Sequence, residues 1–173
     1  VDTHQTGLTA GNIDLSEARA FANGTNRTLT LNASGTGTGG NVSLSTFDNG
    51  GAALFVNSLS VSTNGGTTDG VVTLNENIQL GDNGTVTSSS LTFTGGGDVL
   101  ISDDSAGTPL SINLGTIIDG TAGGSIDFGG ATVSADAAGQ ELTISTSHGD
   151  AGDTGGNVSN LAAVNNDGGF FLD

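Results

Sequence analysis

The sequence predicts an all-β chain wound as a parallel β-helix, a β-solenoid of about six rungs of 27–32 residues. Three observations predict it. The first is a returning motif of Gly, any residue, apolar, any residue, apolar. It begins at Gly11 ("GNIDL"), Gly40 ("GNVSL"), Gly70 ("GVVTL"), Gly97 ("GDVLI"), Gly124 ("GSIDF") and Gly156 ("GNVSN"). The steps are 29, 30, 27, 27 and 32 residues, and only the last copy breaks the pattern, with Asn160 in an apolar slot. Fixed periods of this size mark solenoids. The second is an apolar–polar–apolar triplet some 15–21 residues after each of the first five anchors: Leu29–Leu31, Leu59–Val61, Leu91–Phe93, Ile112–Leu114 and Leu142–Ile144. That alternation is the period of a strand. The third is punctuation by "NGG", "GDNG", "GTGTGG" and "GDAGDTGG". Gly, Asn and Asp make tight corners.

The elements follow in order. Residues 14–24, "DLSEARAFANG", carry a local helix signal: Ser16 as a cap, three alanines, and Asn23-Gly24 as a stop. Moved along by 113 positions, residues 11–34 overlay residues 124–147 without a gap. "ARAFA" then falls on "ATVSA", whose β-branched residues and preceding Gly129-Gly130 suit a helix poorly. The expectation for Ala18–Ala22 is therefore a short strand, with a comparable middle strand at Ala131–Ala135, at Glu76–Leu80 ("ENIQL") and at Ala53–Val56 ("ALFV"). Three strands and three corners make one turn, and stacked turns pair at roughly 4.8 Å. The last rung offers "FFL" (Phe170–Leu172), a less regular triplet. Pro109, the only proline, precedes the strand at Leu110–Leu114, where a missing N–H is tolerated. The whole of 1–173 reads as a single solenoid segment with a narrow core of Ile, Val, Leu and Phe, in keeping with 4% aromatic content.

Composition excludes several classes. The net charge is −16, with 18 acidic residues against Arg19 and Arg27 and no Lys. Such a surface repels polyanions, so nucleic acid is not expected as a partner. Neither is an anionic membrane, and no apolar run approaches the ~18 residues of a membrane helix. Without Cys there is no disulfide, and without Lys no Schiff base or Lys–Asn crosslink. The chain opens on Val1 with no basic stretch before an apolar one, which reads as a processed product or a piece of something longer.

A solenoid needs caps at its ends, and no amphipathic terminal helix is present in the sequence. Joined to a second copy, the chain would place the next anchor 28 residues after Gly156, an ordinary step. The expected partner is therefore the chain itself, in a tandem array or an end-to-end polymer.

"GNIDL", "GNVSL", "LTLNAS", "GGSIDF" and "LTISTS" resemble the repeats of filamentous-haemagglutinin-type adhesins and related large bacterial surface proteins. The resemblance implies a right-handed β-helix, secretion to the outer surface of a Gram-negative-type cell, and a stiff rod used in adhesion or biofilm. Nothing in the chain matches a secretion or receptor-binding motif, so the segment resembles shaft rather than tip.

Candidate chemistry is sparse. Polysaccharide-cleaving β-helices use paired carboxylates. Asp14 and Asp127 align with each other but fall four turns apart, roughly 19 Å at the rung spacing, and His4 and His148 lie in Gly-rich corners without a nucleophile. No enzyme is expected. Asp98, Asp103, Asp104, Asp150 and Asp153 offer the hard oxygen ligands that Ca2+ takes. Neither the GGxGxD repeat nor an EF-hand loop is present, and the competing reading is solvated carboxylates that keep a rod soluble. No other cofactor is expected. Asn12, Asn41 and Asn157 share the slot after the anchor Gly, either as an amide ladder or as ordinary corner residues. Thr30, Ser60, Thr92, Asn113 and Thr143 form an expected outward face, able to meet carbohydrate or ice, or simply suited to strands. Asn23, Asn26, Asn32, Asn41, Asn83 and Asn157 each open an N-x-S/T sequon. The expected function is the non-catalytic structural shaft of an extracellular bacterial adhesin or surface filament. The alternative is a carbohydrate- or ice-binding module using the Ser/Thr face, with surface glycans as partner.

Overall fold

The structure is a computed structural model that describes residues 1–24, 26–48, 55–81, 89–102, 109–114, 123–146 and 155–164. Among these residues there is no helix. The strands are β1 (Ile13–Asp14), β2 (Thr28–Asn32), β3 (Val42–Leu44), β4 (Ser58–Ser62), β5 (Val72–Leu74), β6 (Ile78–Gln79) and β7 (Ser90–Thr94). They continue with β8 (Val99–Ile101), β9 (Leu110–Asn113), β10 (Ser125–Asp127), β11 (Thr132–Ala135), β12 (Leu142–Ser145), β13 (Val158–Ser159) and β14 (Ala163–Val164).

Every pairing of these strands is parallel. They form a six-stranded sheet (β1-β3-β5-β8-β11-β14), a five-stranded sheet (β13-β10-β7-β4-β2) and a three-stranded sheet (β12-β9-β6). Single bridges lengthen two of them: Asp2 pairs with Asn32 below β2, and Ala20, Phe47 and Ile78 run below the three-stranded sheet. The chain is thus a three-faced β-solenoid of about four complete turns, with the outermost strands in partial turns. The six rungs expected include those partial turns.

Inward residues stack in columns. Ile13, Val42, Val72, Val99 and Val133 are successive partners in the six-stranded sheet, all buried. Leu59, Leu91 and Ile126 do the same in the five-stranded sheet. Period-two alternation sends one side of each strand into this column and the other to water.

The cross-section changes midway. Between the five-stranded and six-stranded faces the corner has nine residues at 33–41 and 63–71, but four at 95–98 and 128–131, and three at 160–162. The long corner carries its own bridges, Gln5 to Gly35 to Gly65 and Thr38 to Thr68. The short one turns through left-handed residues, Gly95 (φ 113°), Gly129 (φ 61°) and Asn160 (φ 54°). Glycine and asparagine are the residues that reach this region at least cost.

That change corrects the expected register. Gly124 does not begin a strand of the six-stranded sheet, as Gly11, Gly40, Gly70 and Gly97 do; β10 pairs with β7, Ile126 facing Leu91, and β13 follows on β10. Ala131–Ala135 is not a middle strand: β11 pairs with β8 in the six-stranded sheet. The 113-residue overlay therefore joins different faces. The triplets at Ile112–Leu114 and Leu142–Ile144 belong to the three-stranded sheet and not with Leu29–Leu31. The physical reason is that a Gly corner before an inward-facing strand is needed at more than one corner of the coil. The helix signal at residues 14–24 is indeed misleading. Asp14 Oδ1 accepts the Ser16 N–H (3.0 Å) and the Ala18 N–H closes a turn onto Leu15 O (3.0 Å), so the strand expected at Ala18–Ala22 is reduced to a single bridge from Ala20 to Phe47. Glu76–Leu80 contains the third-face strand β6, while Phe55 and Val56 are buried without forming a strand and Ala53 lies outside the described residues. Pro109 precedes β9 as expected, and Phe170–Leu172 lie outside the described residues.

Candidate functional site

The outward side of the five-stranded sheet is the most regular exposed surface. Residues Thr28, Ser58, Ser90 and Ser125 are successive partners in one rank. Thr30, Ser60, Thr92 and Asp127 form the next, and Asn32, Ser62 and Thr94 the third. Ranks of this kind repeat at about 4.8 Å along the axis and roughly 7 Å along the strand. Hydroxyls within a rank touch: Ser90 Oγ donates to Ser58 Oγ at 3.0 Å. Of the expected face, Thr30, Ser60 and Thr92 are together here. Asn113 and Thr143 are not: they sit in β9 and β12 of the three-stranded sheet, where Thr143 pairs with Ser111 and Asn113 with Ser145. The fourth place in the rank belongs to Asp127, and the flanking ranks Ser58/Ser90 and Ser62/Thr94 fall outside the apolar–polar–apolar triplets. The polar residues either side of each apolar pair are the signal in the sequence that marks them.

Asp127 carries a defined electrostatic role. Its Oδ1 accepts the Gly129 N–H at 2.8 Å and the Asn160 amide at 2.8 Å. These bonds, the Gly129 N–H first, hold its pKa below the ordinary carboxylate value. Asp14 repeats the arrangement at another corner, lowered by the Ser16 hydroxyl and then the Ser16 N–H. The two aligned carboxylates are corner caps on different sheets. A depressed folded pKa contributes stability above the unfolded value, near about pH 4, and that contribution is lost as pH falls through the folded one. The stability advantage of wild type over Asp127→Asn is therefore expected to shrink on acidification. Urea midpoints measured from neutral to strongly acid pH check it, because relief of the −16 charge is nearly common to both chains.

The other candidates are scattered. Among the described residues no three His, Cys, Asp or Glu side chains come together to hold a metal. Asp98 precedes β8 at a short corner, and Asp103, Asp104, Asp150 and Asp153 lie outside the described residues. His4 Nδ1 is 3.0 Å from Ser34 Oγ, and His148 lies outside the described residues. The asparagines act on the backbone rather than as an amide stack: Asn12 Oδ1 accepts the Asn41 N–H and Asn41 Oδ1 accepts the Val71 N–H, both at 2.9 Å. Asn157 is elsewhere, its N–H directed to Ser125 Oγ at 3.2 Å. Of the sequons, Asn23, Asn26, Asn41 and Asn157 are exposed and Asn32 is half-buried, its amide donating to Asp2 Oδ1 at 3.1 Å. Asn83 lies outside the described residues.

Arg19 grips Asp48 one turn above, Nη2 to Oδ2 at 2.5 Å and Nε to both oxygens at 2.8 and 2.7 Å. The Arg19 side chain is 55% exposed, so solvent screens the pair. Arg19→Met is expected to leave the urea midpoint within measurement error, and the same titrations check it.

The fold and these surfaces define a parallel β-solenoid whose five-stranded face carries ladders of short polar side chains. No helix among the described residues is long and apolar enough to cross a membrane. Compared with protein-family models, with curated proteins and with solved structures, the chain matches none.

Proposed function

We propose that this chain is a non-catalytic structural segment, the shaft of an extracellular bacterial adhesin or surface filament. The observation that carries the reading is the in-register parallel ladder that runs unbroken through the six-stranded sheet around one buried apolar column. Backbone hydrogen bonds in a parallel solenoid run along the axis from rung to rung, so they resist bending and leave few exposed backbone sites for proteolysis. The net charge of −16 keeps such a rod apart from others of its kind in dilute salt.

A second reading is a carbohydrate- or ice-binding module, favoured by the three hydroxyl-rich ranks across β2, β4 and β7. It is weaker because the lattice is mostly serine above β2 and meets the Asp127 carboxylate on the fourth strand. One exchange experiment separates the two. Thr30, Ser60 and Thr92 are replaced together by glutamine in the cell-borne protein. Unchanged attachment and filament length are expected of a shaft; loss of attachment with the fold intact would transfer the function to the face.

A further inference from the structure

The wide corners stop at a ledge inside the chain. Residues 33–41 are stacked under residues 63–71, but residues 63–71 meet the short corner 95–98 in the following turn. The difference shows in one backbone donor. In the lower corner the Gly35 N–H is taken by the turn above, at Asn64 O (2.8 Å). At the matching place in the upper corner the Gly65 N–H turns back within its own loop and donates to Asp69 Oδ1 at 2.7 Å. Gly35 pairs with Gly65 and Thr38 with Thr68, so the place of Asp69 is held one turn below by Gly39, which has no side chain. A carboxylate thus stands where the stack of wide corners ends, and it satisfies a donor that a further wide corner would have taken.

The donor held in this way belongs to an Asn-Gly pair. Packing demands glycine at 65, because a Cβ there would lie 1.9 Å from Thr68 O and 2.6 Å from Gly39 N. The side chain before it, Asn64, is exposed. A backbone nitrogen that follows asparagine is a nucleophile toward the side-chain amide, and glycine gives it no steric shield. We infer that Asn64 is a deamidation site that the fold holds shut, with Asp69 as the positioning residue. In the reaction the Gly65 nitrogen gives up its proton and bonds to Asn64 Cγ. The Cγ–Nδ2 bond breaks, and the amide nitrogen takes up the proton and leaves as ammonia. Water then opens the succinimide at either carbonyl, leaving aspartate or isoaspartate at 64. Closing that ring needs the Gly65 nitrogen to swing to the side of Asn64 Cβ. The Asn64–Gly65 peptide group is fastened at both ends, its carbonyl by the Gly35 N–H and its own N–H by Asp69, and both bonds resist the swing. Isoaspartate adds one carbon to the main chain, in a corner already too close for a methyl group at 65, so conversion would spoil the ledge irreversibly.

The test is site-resolved peptide mapping by mass spectrometry of the whole 173-residue chain, kept at mildly alkaline pH either folded or in concentrated urea. Conversion at Asn64 is read as the mass change from amide to acid, with isoaspartate separated by chromatography. A hydrogen bond to a charged group shifts a local opening equilibrium by about ten- to hundredfold. Asn64 is therefore expected to convert more than about tenfold slower in the folded chain than in urea. Asp69→Ala removes the acceptor, and circular dichroism checks that its fold is kept. The folded variant is expected to convert at Asn64 about ten- to hundredfold faster than wild type. Asp69→Asn keeps an acceptor oxygen of the same reach and is expected to fall between the two. The comparison of folded and unfolded wild type needs no variant, so it decides the matter even if Asp69→Ala fails to fold. Equal rates at Asn64 in the folded and unfolded wild type would overturn the inference. So would a folded Asp69→Ala chain that converts no faster than wild type, or an Asp69→Asn chain as fast as Asp69→Ala. A slower Asp69→Ala chain would make the carboxylate a base for the attack and not a guard against it. The inference does not rest on the shaft reading, and none of these results bears on that reading.

Discussion

Gly70→Ala is expected to remove more than about 4 kcal/mol of stability, a loss in the range reserved for severe backbone or core damage. The reason is a stack of backbones with no room for a methyl group. A Cβ at Gly40 would run into the carbonyl of Gly11, one at Gly70 into the carbonyl of Gly40, and one at Gly97 into the carbonyl of Gly70. Each obstacle is main chain held in a ladder, not the end of a side chain, so relief requires the rungs to part. Parting them breaks the bonds that pass from rung to rung, such as Val42 N–H to Val71 O and Gly39 N–H to Thr68 O. Globular domains hold only about 5–15 kcal/mol in total, so the variant should unfold at moderate urea or fail to fold. Gly155→Ala is the control. Its nearest atom is Thr146 O at 4.0 Å and its φ is not positive, so it is expected to be neutral or stabilising by about 0.4–1 kcal/mol. Urea midpoints of the two variants decide the matter; a Gly70→Ala midpoint close to wild type would mean the rungs do not stack this closely.

This glycine stack explains why the solenoid is legible in the sequence. A Gly that must sit under another rung cannot vary without cost, so the anchors recur, and their spacing alone reveals the coil. The inward columns are equally legible, because period-two alternation is local. What the anchor motif does not carry is the identity of the corner. Gly124 faces Leu114 O and Ser89 Oγ rather than Gly97, and the Gly156 position stacks on Gly124 in turn. These are the same local demands met at a different corner, so the sequence motif is the same while the sheet is not. The shift follows the shortening of the corner from 63–71 to 95–98, which changes which loop takes up the residues of a turn. The outward face suffers from the same error. Thr30, Ser60 and Thr92 lie before the change and share a sheet, whereas Asn113 and Thr143 follow it and do not.

Phe128→Ala is the second large effect, expected to cost about 3–5 kcal/mol. Phe128 is fully buried and stacks on Phe93, ring centroids 5.7 Å apart and planes 24° from parallel. Phe93 faces Val61 on the strand below, which in turn faces Leu31. The column therefore passes from aliphatic to aromatic as the corner shortens from nine residues to four. The rings thus succeed Leu31 and Val61 in register, while the wide turns bury the corner residues Ala33 and Thr63 besides. Truncating Phe128 leaves a void between rungs whose spacing is fixed by hydrogen bonds, including Phe128 N–H to Ser159 O and Ile126 N–H to Asn157 O. A backbone so constrained cannot collapse to fill the gap, which places the cost at the upper part of the range. Phe128→Leu keeps most of the volume and is expected to cost less, under about 1.5 kcal/mol. Both are read from urea midpoints with the slope unchanged. If alanine at 128 cost no more than leucine, the rungs would have closed on the void, and the ladder would not be the stiff element that a shaft requires.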